Sequence, residues 1–423
     1  MQTMMRPKTR TGLALLVAAA LAGGCADEND RLVGLEDAPG APLLTRYVAL
    51  GNSMTAGFQS GGLTDSLQLR AYPVLVARQG EVPFNPPLLA DPGCPPPYVQ
   101  PFFVDSARVG GGRANSCALR QDTLRFTPIQ NVAFPGALLS GAIDNSVPAS
   151  PALADVYKTV ILGGRTQVQA MVDARPTFVS VWLGNNETLA PALGADPRLF
   201  DLFPLDRMES ALDSIVRAIQ RTPARSDALL MAPINAITFS PLIQPGTFIW
   251  AVEQDPTTRP LLRAAGKSVS NDCSPLARGA NLVSLREVLS PATGSVISCA
   301  DAAPGILASS EVAAYNARLA QIKAAVKRRA DANGWLYIDP DVELAASLSD
   351  PAKFRKCQGL ATATPLTLAA AVASTCPGFS ATNFFGSFVS LDGTHPSSAA
   401  HVAIANLIIT KINAKYDLQI PTL

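Results

Sequence analysis

The sequence predicts a parallel α/β sheet covered on both faces by helices. Three observations carry this: short, nearly all-apolar runs recur along the chain, helical 3.6-residue patterns alternate with them, and residues suited to chemistry stand at the carboxyl ends of the runs. The 423-residue chain is 48% hydrophobic, enough for a large core.

Tyr47 to Leu50 is the first candidate strand, and it enters Gly51-Asn52-Ser53-Met54-Thr55-Ala56-Gly57, a glycine-bounded turn that leaves the Ser53 hydroxyl at the strand's carboxyl end. Asn131 to Phe134 is the second, closing in Pro135-Gly136, where a backbone N–H without side-chain obstruction can face a cleft. Thr177 to Leu183 follows, and its end, Gly184-Asn185-Asn186-Glu187, offers a side-chain amide as donor to a developing oxyanion. Met208, Leu212, Ile215, Val216 and Ile219 mark a helix before the fourth strand, Ala228 to Pro233. Val312, Tyr315, Leu319, Ile322 and Val326 mark another, with Ser309 or Ser310 as cap and Gly334 as stop, before the fifth strand, Leu336 to Ile338. A last helix runs from about Ser397 to Lys415. Together these predict a flavodoxin-like, three-layer α/β/α sandwich with a parallel five-stranded sheet.

Asp392-Gly393-Thr394-His395 precedes that last helix. His395 is one of only two histidines, and a carboxylate stands three residues before it. An activated hydroxyl needs an imidazole base and a group that orients it, and this motif holds both. His401, the other histidine, has Ser398 three residues before it, and is expected as a surface or partly buried helix residue.

Ser53, Gly136, Asn186 and His395, in that order, resemble the GDSL/SGNH hydrolase superfamily of esterases and lipases over about residues 46 to 415. The resemblance implies Ser53 as nucleophile, Asp392 and His395 as the rest of a triad, and the Ser53 and Gly136 N–H groups with the Asn186 amide as the oxyanion hole. It implies the same fold and no cofactor. Asn52 stands where the family name has Asp, and Glu187 follows Asn186 where Asp is common; neither position is nucleophile, base or oxyanion donor in the family.

Three stretches exceed what such a domain needs: about 58 to 127, 239 to 307 and 340 to 390. Each holds two cysteines, which predicts Cys94–Cys117, Cys273–Cys299 and Cys357–Cys376 as local disulfides in insertions around the catalytic mouth. No Cys-x-x-Cys occurs, and no metal site is expected. Phe248, Ile249, Trp250, Phe384, Phe385 and Phe388 either line an acyl pocket or pack the insertions.

Residues 1 to 24 carry Arg6, Lys8 and Arg10 and then an uncharged apolar run, the layout of a bacterial signal peptide. Leu21-Ala22-Gly23-Gly24-Cys25 resembles a lipobox, which implies lipid on Cys25 and an exported, membrane-anchored lipoprotein of the cell envelope. Residues 25 to 42 make a polar tether, and 43 to 423 the hydrolase domain. A formal net charge of +1 implies no basic face, so nucleic acid is not an expected partner. The expected substrate is a carboxylic ester of a lipid, a short-chain alcohol or an acylated glycan. The alternatives are a carbohydrate O-deacetylase on the same fold and a surface lipoprotein that binds glycan or lipid without turnover. The sequence sets no oligomeric state.

Overall fold

The computed structural model describes residues 38–102, 106–121, 128–146, 154–290, 292–357 and 385–423. The signal segment, Cys25, most of the tether, Cys376 and Phe384 lie outside them. Four of the expected strands form one parallel sheet: β1 (Tyr47–Gly51), β2 (Phe178–Trp182), β3 (Asp227–Met231) and β4 (Leu336–Ile338), side by side in that order. Registers such as Ala49 with Ser180 and Ser180 with Leu229 keep their carboxyl ends level.

The expected second strand, Asn131 to Phe134, is a correction, and the parallel sheet has four strands where five were expected. Asn131 meets β1 only through an isolated parallel bridge to Ala49, with Ala49 N donating to Gln130 O and Val132 N to Ala49 O. Pro135 and the positive φ of Gly136, 79°, turn the chain away directly afterwards, so the segment reaches the edge and leaves it.

Strand side chains alternate between faces, and the two faces form separate cores. Val48, Leu50, Val179, Val181, Ala228 and Leu230 pack against helices that include α3 (Leu205–Gln220) and α4 (Ser309–Ala332). Tyr47, Ala49, Phe178, Trp182, Leu229 and Met231 pack against α1 (Tyr72–Gln79) and α5 (Ser398–Tyr416). The result is the three-layer α/β/α arrangement. α4 begins one residue earlier than expected: its N-cap is Ala308, whose N–H is taken by Glu311 Oε2 at 2.8 Å, so the cap is supplied by the glutamate of the first turn.

Two expected disulfides are present, Cys94–Cys117 and Cys273–Cys299. Cys357 is also disulfide-bonded; Cys376, expected as its partner, is not among the described residues. The second insertion has a core of its own around Ile249, Leu262, Val283 and the Cys273–Cys299 pair, built on an antiparallel sheet of Ile243–Pro245, Leu282–Ser284 and Ile306–Leu307.

Candidate active site

The turn that carries Ser53 begins where β1 stops. Ser53 is the first residue of the short helix Ser53–Ala56; Asn52 caps it in extended geometry, its Oδ1 accepting Met54 N at 3.1 Å, and Gly57 ends it at φ 87°. A Cβ on Gly51 would stand 2.0 Å from Thr55 Oγ1, so the sharp entry into the helix needs glycine. Gln167 holds the entry from outside: its amide accepts from Gly51 N at 3.0 Å and donates to Gly51 O at 2.9 Å. Asn131 Nδ2 donates to Thr55 O at 2.9 Å. The turn is thus fixed at both ends by side chains remote in sequence.

Asp392 and His395 sit on a loop whose geometry explains their spacing. Asp392 Oδ1 accepts the N–H groups of Thr394 and His395, each at 2.9 Å, folding the chain back over the carboxylate. That return brings His395 Nδ1 to 2.9 Å from Asp392 Oδ2. Oδ2 also accepts Gly61 N at 2.6 Å, and Ser390 Oγ lies 3.2 Å from Oδ1. Burial pushes the Asp392 carboxyl up, but the His395 charge and these hydrogen bonds together outweigh it and hold the group down at about 2. The carboxylate therefore accepts from Nδ1–H, which leaves Nε2 as the acceptor facing Ser53 Oγ at 2.9 Å. Phe58 meets the imidazole edge-on at 4.8 Å between centroids.

Three donor-bearing residues line the cleft that holds the hydroxyl. The Ser53 N–H belongs to a first helical turn and has no intrahelical acceptor. Gly136 lines the same cleft as Ser53 and His395. Asn186, in the first turn of α2, the helix Asn185–Leu193, lines it too, and its Nδ2 donates one hydrogen to Ala137 O at 2.8 Å, leaving the second without a partner among the described residues. The neighbouring Asn185 is committed elsewhere, its Oδ1 accepting Ile234 N at 2.9 Å. Ser53, Gly136, Asn186, Asp392 and His395 therefore stand together in one place.

His401 does not, and it is not a surface group. It is fully buried in α5, its Nδ1 accepting Tyr72 N at 3.3 Å, and burial followed by the His395 charge pushes its pKa down to about 3. Sequence reading also missed Gln167, Gly61 and Ser390, which act through a side-chain amide, a backbone N–H and a hydroxyl and look in sequence like solvated helix-start or loop residues.

Two hollows open from Ser53. One, a cavity of about 90 Å³, is walled by apolar groups including Leu189, Phe239, Leu344, Phe354, Phe388 and Ile404. Phe388 is the expected aromatic that lines it. Phe248, Ile249, Trp250 and Phe385 line neither hollow; Ile249 and Trp250 pack the second insertion's core, and Phe385 is buried against Phe102. The second hollow, about 480 Å³, carries Tyr98, Arg108, Tyr157 and Arg286.

No protein-family model matches the chain, and no curated protein does. Among solved structures it is similar to an extracellular lipase from Streptomyces rimosus, at 13% identity and TM-score 0.34 over 86% of this chain and 98% of that one. It is also similar to a phospholipase A1 from Streptomyces albidoflavus, at 12% identity and TM-score 0.33 over 86% and 98%. An acetylxylan esterase from Geobacillus stearothermophilus gives 13% identity and TM-score 0.31 over 86% and 93%. Likenesses this loose describe a shared arrangement of chain and carry no argument about chemistry.

Proposed function

We propose that the protein is a serine carboxylic ester hydrolase of the GDSL/SGNH type, working through a Ser53-His395-Asp392 acyl-enzyme mechanism. The observation that carries this reading is the unbroken relay from Asp392 Oδ2 through both imidazole nitrogens to Ser53 Oγ, with both contacts at 2.9 Å. His395 Nε2 takes the hydroxyl proton as Oγ attacks the ester carbonyl, and Asp392 stabilises the imidazolium and fixes its tautomer. Negative charge developing on the carbonyl oxygen is received by the N–H groups of Ser53 and Gly136 and by Asn186 Nδ2. The imidazolium then protonates the leaving alcohol, and water, deprotonated by the same nitrogen, releases the acid.

The apolar hollow beside Ser53 supports a fatty acyl group over acetyl, since a two-carbon chain leaves most of its phenylalanine-lined wall in contact with water. p-Nitrophenyl esters of increasing chain length should therefore rise in kcat/KM beyond the acetate; a profile that peaks at acetate favours an O-deacetylase. A fluorophosphonate probe should label the wild type at Ser53. Ser53→Ala should abolish both labelling and turnover while leaving the fold intact, because the change removes no large buried area. Retention of more than a few per cent of the turnover would sink the assignment.

A further inference from the structure

Among the described residues, the second hollow holds cations without counter-ions. Arg108 is nine-tenths buried, and its Nη1 donates to Gly61 O at 2.7 Å and to Pro96 O at 2.6 Å, while the guanidinium lies 4.0 Å over the Tyr98 ring. These contacts fix the fork in place but are all to neutral groups. Its Nε and Nη2 make no hydrogen bond, and it has no ion pair, among the described residues. Arg286, exposed in the short helix Leu285–Val288, likewise has no ion pair among the described residues and borders the same space. The phenol of Tyr157, buried on the same wall, has no hydrogen-bond partner among the described residues.

Among the described residues, Asp392 is the one acid on this wall, and its oxygens are occupied by His395 Nδ1, Ser390 Oγ and the N–H groups of Gly61, Thr394 and His395. It has no capacity left to neutralise Arg108. Buried charges in proteins are ordinarily paired, and a guanidinium held rigid with two free nitrogens matches two oxygens of a carboxylate or phosphate.

We propose that this hollow is the leaving-group subsite and that it takes an alcohol bearing an oxyanion, carboxylate or phosphate, bound by Arg108 and Arg286 with Tyr157 as a further donor. The proposal rests on the esterase reading above, with the acyl chain in the apolar hollow. Ser53 Oγ forms the new acyl C–O bond, the scissile C–O bond breaks, and the alkoxide leaves with the proton from His395. The anionic group changes no bond; it holds the alcohol in place.

The test compares octanoyl monoesters of glycerol, glyceric acid and glycerol phosphate, with p-nitrophenyl acetate as a neutral reference. Wild type should turn over at least one anionic ester with a higher kcat/KM than the glycerol ester, and the better of the two identifies the anion. Arg286→Glu should lower the anionic-to-neutral ratio about ten-fold, and Arg286→Gln by less. Arg108→Lys keeps the buried charge but loses the fork, and should lower the ratio too. About 0.5 M salt should compress the wild-type ratio by screening. A wild-type ratio at or below one, or a ratio unmoved by Arg286→Glu, overturns the subsite. A wild type inert towards every ester, p-nitrophenyl acetate included, overturns the esterase reading instead.

Discussion

Glu187 joins two parts of the proposed oxyanion hole. Its Oε1 accepts Leu139 N at 2.6 Å, tying the turn that carries Gly136 to the helix that carries Asn186. The carboxyl is buried, its Oε2 has no partner, and burial pushes its pKa up to about 7. A carboxyl raised in the folded state is protonated there while the unfolded chain is already ionised. Stability from this group is therefore present at low pH and is lost as pH rises from about 4.5 through about 7. Glu187→Gln should remove that slope. Denaturant titrations should show wild type losing on the order of 3 kcal/mol relative to the variant between pH 5 and pH 8; an equal difference at both pH values would mean that the carboxyl does not titrate in that window. The sequence displays Glu187 only as a departure next to Asn186 and gives no sign of its burial. The Asp392 to His395 spacing was legible because one local turn creates it. His401 was not: apolar residues surround so much of α5 that no stripe marks its inner side.

The strands could be read because each is a short apolar run bounded by turn residues, and a strand buried on both faces has no other appearance. What fastens them is less visible. Gln167 opens the helix Gln167–Asp173 with no sequence feature to separate it from a solvated first-turn residue, yet it is fully buried and pairs both backbone groups of Gly51. Gln167→Leu would leave a buried N–H and a buried C=O unpaired at the entry to the nucleophile turn. It should cost about 2–5 kcal/mol in stability. It should also lower kcat for p-nitrophenyl acetate, because Ser53 lies two residues beyond Gly51. Unfolding within about 0.5 kcal/mol of wild type, with kcat unchanged, would show that the turn holds without the clamp. The bridge at Asn131 failed as a strand for a related reason: apolar character was sufficient, but the Pro135-Gly136 turn follows too soon for a ladder to extend.

The insertions were visible as excess length and paired cysteines, but not the unequal ways in which they join the sheet. The first clasps the loop that carries Asp392 and His395: Ser60 N donates to Ser390 Oγ at 2.8 Å, Gly61 N to Asp392 Oδ2 at 2.6 Å and Phe102 N to Leu391 O at 3.2 Å. The second keeps its own core, reaches the hollows through Phe239, Leu242 and Arg286, and touches the Asp392 to His395 loop through Ser240 Oγ, which donates to Gly393 O at 3.3 Å. Removing a disulfide of this kind typically costs about 2–4 kcal/mol, and that loss should have different consequences in the two places. In Cys94→Ser/Cys117→Ser, loosening the segment from Ser60 to Phe102 withdraws a hydrogen bond from Asp392, so turnover of even p-nitrophenyl acetate should fall. In Cys273→Ser/Cys299→Ser, the sheet and triad keep their own contacts, so acetate turnover should persist while preference among larger esters is lost. Kinetics on the two double variants separate these cases. If the second variant loses acetate turnover as fully as the first, the insertion's core is part of the catalytic scaffold and the division of labour drawn from these contacts is wrong.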